Sequence, residues 1–273
     1  MVAVRIISGR LLFVVGLGFQ YLVASQMHCT ELTQQLKMLR NLVADMACKT
    51  GEEVSNSGSW CLLQDEKKEV APGFPLAKNH VPADAGLASL FQTLFSNYSV
   101  LDMGAGIGQY GHYYRQNAVK GAVKYTGVDG ALNVETFTKN FVRWVDLTVP
   151  MPRDIRLHDW VTCLEVGEHI PAEFEHLLFE NIFKRNRCGV ALSWAVPGQG
   201  GHGHINEKNN DAVINIMIQN GYNLHDDITK AGRTVASYYW FRNSFMFFSK
   251  NDASEFCKLP DVNSFESQTF SSL

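Results

Sequence analysis

A glycine-rich turn follows an apolar stretch near the middle of the chain and limits the folds open to it. The stretch VLDMGAGIGQYG, 100–111, places Gly104, Gly106 and Gly108 at alternate positions after Asp102. A short apolar run is typical of a buried strand, and glycine lets a backbone turn tightly and approach a ligand closely because it has no side chain. We therefore predict a strand, a loop that holds a nucleotide-like cofactor, and a helix.

The spacing of these glycines argues against a dinucleotide. The fingerprint G-x-G-x-x-G requires a glycine where this chain has Gln109. Asp102, before the first glycine, would repel a pyrophosphate and suits a cofactor with positive charge. S-Adenosylmethionine (SAM) carries a sulfonium and an ammonium group. The stretch resembles motif I of the class I SAM-dependent methyltransferases, and an ordinary strand-to-helix turn without a ligand is the alternative.

Acidic residues end the next two predicted strands. The apolar run 123–128 ends at Asp129, where a carboxylate can accept hydrogen bonds from both ribose hydroxyls. Asp146 ends the following run, and the resemblance implies that it contacts the adenine amino group. The later stretch DWVTCLEVGEHIP resembles motif IV of the same family. The resemblance implies cofactor contacts by Asp102, Gly104, Ala105, Gly106, Gly108, Asp129, Asp146 and Glu165.

The order of the remaining patterns predicts the fold. Further strand patterns at 160–164, 189–196, 221–224 and 244–250 are interrupted by helical patterns at 172–185 and 209–220. Asp84 is the predicted N-cap of another helix, before the first strand. Alternating strands and helices indicate a parallel sheet covered on both faces. We expect an α/β, Rossmann-like, mostly parallel seven-stranded sheet with helices on both faces and an antiparallel last strand.

Carboxylates and imidazoles follow two of the later strands. Glu165, Glu168 and His169 follow one strand, and His202 and His204 lie in the glycine-rich stretch after the next, at the same expected edge of the sheet. We predict Glu168, His169 and His204 as catalytic residues. The set resembles that of the metal-dependent ubiquinone-biosynthesis O-methyltransferases and small-RNA 2'-O-methyltransferases. This resemblance implies a divalent metal held by Glu165, Glu168, His169 and His204, or His202. The alternative is that Glu and His only cap a helix and bond the cofactor loop.

The N-terminal region differs from the rest in composition. Arg5 and Arg10 precede an apolar run, which predicts a signal anchor or a cleaved signal peptide at 1–25, with a buried helix as the third interpretation. We expect a single-pass type II membrane protein of the secretory pathway (ER or Golgi lumen), or a secreted one. The predicted organisation continues with a helical stem at 26–50, a linker or cap at 51–79, a methyltransferase domain at 80–250 and a flexible tail at 251–273.

Composition and cysteines limit the partners. The formal net charge is −3 over 273 residues and no long basic block occurs, so nucleic acid is excluded as a partner. Two heptads in the stem indicate a possible homodimer. Cys48 and Cys61 could close a loop, or Cys29 could join two stems. The sequon Asn97-Tyr98-Ser99 is compatible with a lumenal address.

These patterns together predict a SAM-dependent methyltransferase. The expected reaction is O-methyl transfer to a small-molecule or glycan acceptor in the secretory lumen, with a protein acceptor also open. A non-catalytic, membrane-tethered scaffold that keeps the fold is one alternative, and the intact glycines and Asp129 argue against it. A nucleotide-dependent oxidoreductase is the other, and Gln109 and Asp102 argue against that.

Overall fold

A computed structural model describes residues 31–32, 34–49, 57–78, 80–118 and 122–260. The predicted signal anchor or signal peptide at 1–25 lies outside these residues, as does the tail after 260. Among the described residues, no helix is both long and apolar enough to cross a membrane. The chain divides into two compact units, 1–46 and 47–273.

Helix α1 covers 34–49, within the predicted stem. The heptad positions Leu36, Leu39, Val43 and Met46 are each more than half exposed. Dimerisation through these positions stays a prediction.

A seven-stranded sheet forms the centre of the second unit. In chain order, the strands are β3 (Ser99–Met103), β4 (Lys124–Asp129), β5 (Val142–Trp144), β6 (His158–Leu164), β7 (Asn186–Ser193), β8 (Tyr222–Leu224) and β9 (Met246–Lys250). Their order across the sheet is β5-β4-β3-β6-β7-β9-β8. β9 pairs antiparallel with both neighbours, and the other pairings are parallel. The predicted Rossmann-like sheet with an antiparallel last strand is confirmed.

Helices cover both faces of this sheet, as predicted. They are α2 (Ala85–Leu94), α3 (Gln109–Gln116), α4 (Val134–Phe137), α5 (Glu175–Arg185), α6 (Asn210–Gln219), α7 (Asp226–Val235) and α8 (Tyr239–Ser244). α5 and α6 bury side chains against one face, with Leu101 and Val161 of the sheet. α2, α3, α7 and α8 pack on the other, with Val100 and Trp160. Strand residues alternate between faces, so one strand serves both layers.

Two parts of the second unit differ from the sequence prediction. The region expected to be a linker or cap contains an antiparallel hairpin, β1 (Gln64–Ala71) with β2 (Phe74–Ala77). The tail expected to be flexible is fastened over its described part, because Cys257 forms a disulfide with Cys188 of β7. The predicted bond between Cys48 and Cys61 is present.

Asp84 caps α2 as predicted and makes a second, long-range contact. Its Oδ1 accepts from the Leu87 N–H at 3.0 Å, and its Oδ2 accepts from the Tyr238 N–H at 2.7 Å. The side chain is buried. One carboxylate therefore provides an acceptor for a free N–H group in the first turn of α2 and also holds the segment that leads into α8.

We expect Asp84→Ala to lower the free energy of unfolding by about 1–3 kcal/mol, because two buried N–H groups lose their acceptor. Urea unfolding monitored by circular dichroism measures this loss. Ser89→Ala, at an exposed position of the same helix, is the control and should change stability by less than about 0.5 kcal/mol. Equal stabilities of the two variants would show that the Asp84 bonds contribute nothing net.

Candidate active site

Asp129, the last residue of β4, accepts two backbone hydrogen bonds, one from the glycine loop and one from the turn that follows the strand. The Gly106 N–H donates to Oδ2 at 2.7 Å, and the Ala131 N–H donates to Oδ1 at 2.8 Å. Gly106 has a φ of +54°, and a Cβ there would lie 2.9 Å from Cδ2 of His80, so only glycine fits. A carboxylate offers about four acceptor positions. Asp129 is thus fixed with capacity left for two further donors, as a ribose diol would supply.

Asp102 lies behind the loop. Its Oδ1 accepts from the Thr162 hydroxyl at 2.7 Å, and its Oδ2 accepts from the Tyr125 hydroxyl at 2.9 Å. Burial raises the pKa of Asp102 to about 6, although both hydrogen bonds favour the charged form. Asp102 is not one of the residues that line the cavity. Asp102 is thus bonded to Thr162 of β6 and Tyr125 of β4, and its contact with a cofactor stays a prediction.

The other residues predicted to contact the cofactor divide into two groups. Gly104 and Asp146 line the cavity. Ala105 and Gly108 are not among the lining residues: Ala105 is buried, and a Cβ on Gly108 would lie 2.7 Å from Phe141 Cε1. These two positions allow the loop to pack tightly and do not themselves reach the cavity.

One cavity of about 430 Å³ lies at the carboxyl edge of the sheet. Its walls are the glycine loop, the ends of β4 and β6, the segment 57–62, the loop 199–204 and the aromatic stretch 238–241. Carboxylates of Asp129, Asp146 and Glu165 line it. None of the described lining residues is Lys or Arg. The cavity therefore favours cationic or neutral ligands over anions.

His169 and His204 line this cavity, and the buried Glu168 lies next to them, so the three predicted residues come together. Ligand atoms of the three lie within 4.8 Å of one another. Glu168 is fully buried, and neither of its carboxylate oxygens accepts a hydrogen bond of ordinary geometry from the described residues. Burial, and then the neighbouring Glu165 carboxylate, raises the pKa of Glu168 well above its usual range. Burial, and then His204, lowers the pKa of His169 to about 4, which leaves a neutral imidazole at pH 7.

Glu165 is bonded elsewhere and lies outside that group. Its Oε2 accepts from Gln199 Nε2 at 2.6 Å, and its Oε1 accepts from the Ser244 hydroxyl at 3.0 Å. Its φ of +54° is uncommon for a residue with a side chain and marks a constrained turn after β6. The set predicted to ligate a metal is thus reduced to three side chains. Glu165 lines the cavity and joins β6 to the loop after β7 and to α8.

Glu207, which the sequence analysis did not single out, shapes the loop after β7. It accepts from the backbone N–H of Gly198 at 2.7 Å and of Gly200 at 2.9 Å. Its Oε1 also lies 3.3 Å from His204 Nδ1. The loop is therefore bonded in place and His204 is oriented by a carboxylate. In the sequence, only its position three residues after His204 indicated that Glu207 could contact that imidazole.

The segment 57–62 brings an unpredicted residue, Trp60, into the cavity wall. Cys61 is tied by its disulfide to Cys48. The Leu62 N–H donates to Asn133 Oδ1, and Asn133 Nδ2 donates to the Leu62 carbonyl, both at 2.8 Å. Part of the region predicted as a linker is thus an integral wall of the site.

No family model matches the chain, and no curated protein matches it significantly. Among solved structures, magnesium protoporphyrin IX methyltransferase from Synechocystis PCC 6803 with bound SAH is 16% identical, over 60% of this chain and 80% of that chain, with a TM-score of 0.44. A TehB-like SAM-dependent methyltransferase from Corynebacterium glutamicum is 16% identical, over 63% and 89%, with a TM-score of 0.43. The methyltransferase domain of a bacterial Hen1 is 15% identical, over 60% and 94%, with a TM-score of 0.43.

The strand order itself identifies the fold. Three parallel strands run outward on each side of the centre, and one antiparallel strand is inserted next to the last. This is the α/β, Rossmann-like methyltransferase fold.

Proposed function

We propose that the chain is a SAM-dependent methyltransferase. The observation that supports this best is a single cavity with two chemically distinct ends. One end has the glycine loop bonded to Asp129, which suits an adenosyl cofactor. The other has Glu168, His169 and His204 with their ligand atoms together. A cationic methyl donor matches a cavity without Lys or Arg among its described lining residues.

The proposed reaction is methyl transfer to a hydroxyl. The acceptor oxygen attacks the methyl carbon, the carbon–sulfur bond breaks, and its electron pair stays on sulfur to give S-adenosylhomocysteine (SAH). The protein aligns donor and acceptor, and it must also remove the hydroxyl proton. With no metal bound, the neutral imidazole of His169 can accept that proton; burial lowers its pKa to about 4, so it is a weak base at pH 7.

The acceptor is an uncharged small molecule or glycan in this proposal. A phosphate or carboxylate would meet only acidic and neutral groups in the described cavity wall. The same charge pattern disfavours the pyrophosphate of a dinucleotide, and hence the oxidoreductase alternative. A scaffold without activity would gain nothing from burying Glu168, because its carboxyl group has only poorly aligned backbone donors and its burial lowers stability.

A divalent cation fits the Glu168, His169 and His204 group. The buried Glu168 carboxyl group has only poorly aligned backbone donors, its own N–H and that of Ala195, so a cation would stabilise its charged form. One carboxylate with two imidazoles suits Mn²⁺, Fe²⁺ or Zn²⁺. Such an ion, when bound, would lower the pKa of an acceptor hydroxyl. Glu168 would supply the negative charge, and Glu207 would orient His204 from the side opposite its ligand nitrogen.

A lumenal or extracellular address, with a type II anchor or a cleaved signal peptide, completes the proposal. Two disulfides within the described residues support an oxidising compartment. Asn97, in the only N-x-Ser/Thr sequon of the sequence, is exposed at the start of β3, at the opposite edge of the sheet from the cavity. A glycan there would leave the site open.

We expect Asp129→Ala to weaken SAM binding about 10- to 100-fold, because a ribose diol would lose charge-assisted hydrogen bonds. Calorimetric titration of the full chain with SAM measures the affinity. Asp154→Ala removes an exposed aspartate that pairs with Arg143 and is the control. Unchanged SAM affinity in a folded Asp129→Ala chain would refute the assigned role, and a wild-type chain that does not bind SAM would refute the proposed function.

We expect the wild-type chain to bind one Mn²⁺ or Zn²⁺ and Glu168→Gln to bind it at least about tenfold more weakly. Without metal, Glu168→Gln should be at least as stable as wild type, since it removes a buried, unpaired carboxyl group. Calorimetry and thermal unfolding, each with and without EDTA, give both results. Glu173→Gln, at an exposed position nearby, is the control. Equal metal affinity in Glu168→Gln would leave Glu168 and His169 without a metal role.

We expect the full chain, expressed in animal cells, to carry one N-linked glycan at Asn97. Endoglycosidase treatment should lower its apparent mass, and Asn97→Gln should remove the shift. Protease added to intact microsomes should spare the domain until detergent is added. Digestion without detergent would refute the lumenal address, whereas protection without a glycan would refute only the use of Asn97.

A further inference from the structure

Trp60 is held firmly although it precedes every strand of the chain. Cys61 next to it is in a disulfide with Cys48, and Leu62 exchanges two hydrogen bonds with Asn133. Gly58 approaches the site so closely that a Cβ there would lie 1.9 Å from the His169 carbonyl oxygen. The position of the indole ring is therefore set by contacts on both sides of it.

The indole has ring contacts with residues at both ends of the cavity. Its ring centroid is 4.9 Å from that of His169, in the candidate cation group, and 5.6 Å from that of His202. It is also 5.9 Å from the ring centroid of His80, which stands against Gly106 of the cofactor loop. A methyl group in transfer must pass between these two ends, so Trp60 borders its path.

The methyl donor and its product differ in charge at the sulfur atom. SAM has a sulfonium cation next to the methyl group, whereas SAH is a neutral thioether at the same atom. The described cavity wall has no Lys or Arg, and its carboxylates belong to Asp129, Asp146 and Glu165, whereas the ring neighbours of Trp60 are three imidazoles. The face of an indole attracts a cation more strongly than any other aromatic ring. Trp60 can therefore distinguish the two ligands by charge alone.

We propose that Trp60 recognises the sulfonium charge of SAM and thereby sets the preference of the site for SAM over SAH. The proposal rests on the proposed methyltransferase function and assigns a part of it to a residue outside the sheet. Loss of the sulfonium on methyl transfer removes the attraction, so the same contact favours release of SAH.

Trp240 offers a matched comparison in the same cavity. It lines the cavity, but its ring is stacked on Tyr238, with centroids 4.6 Å apart and planes 13° apart. Its ring neighbours among the described residues are Tyr238, Tyr239 and Phe241, and they include neither His80 nor His169. Substitution of Trp240 should therefore alter the cavity wall without a charge-selective effect.

The test is calorimetric titration of the full chain with SAM and, separately, with SAH. In Trp60→Leu we expect the ratio of SAM affinity to SAH affinity to fall roughly three- to thirtyfold. Trp60→Phe should fall less, because a phenyl ring keeps part of the attraction. Trp240→Leu should leave the ratio within about twofold of wild type, whatever it does to the individual affinities. Thermal unfolding confirms that each variant is folded.

The possible results separate the two proposals. If Trp60→Leu lowers the affinities for SAM and SAH equally, Trp60 only lines the cavity. This result would overturn the role assigned to Trp60 but not the methyltransferase proposal. An equal fall of the ratio in Trp240→Leu would do the same. If Trp60→Leu does not fold, an unchanged ratio in Trp60→Phe overturns the assignment and a reduced ratio supports it. A wild-type chain that binds neither ligand overturns the methyltransferase proposal and this one together.

Discussion

Two buried carboxyl groups, of Asp102 and Glu168, and the half-buried one of Asp129 at one edge of the sheet place the main electrostatic constraint on this protein. Burial disfavours the charged form of a carboxylate unless donors or cations offset the cost. Asp102 receives two hydroxyl donors and Asp129 two backbone N–H groups. Glu168 has no donor of ordinary geometry among the described residues. The remaining need is for positive charge, which fits the cationic ligands proposed for this edge.

Most of the fold could be predicted because its signals are local. The glycine loop, the apolar strands and the Asp84 cap are short patterns, and the rules of parallel sheets then bring the strand ends together. Glu168, His169 and His204 were predicted for the same reason, since each follows a strand end. Helices α7 and α8 were missed for different reasons: α7 is amphipathic, but its buried face consists of Ile228, Thr229 and Gly232 and so has few apolar side chains, and α8 is only six residues long.

The rest of the site depends on pairings that a single sequence does not contain. The bond between Asp102 and Thr162 was not predicted, because it depends on the register of β3 and β6. The bonds of Glu165 to Gln199 and to Ser244, at the end of α8, were not predicted either. Trp60 lies in a stretch without helical or strand periodicity. Its position depends on the disulfide of the adjacent Cys61 and on the hydrogen bonds between Leu62 and Asn133. Each of these contacts joins residues far apart in the chain.

Two cations in one cavity would need separate carboxylates. A divalent ion at Glu168 and a sulfonium in the same cavity would repel each other most where water is excluded. In the proposed site the cofactor would lie by Asp129 and the glycine loop, and the ion would be held by Glu168, His169 and His204. Trp60 has ring contacts with His169 of the second group and with His80, which stands against Gly106 of the loop. An uncharged, polarisable ring would therefore lie near both ligands and would add no repulsion to either.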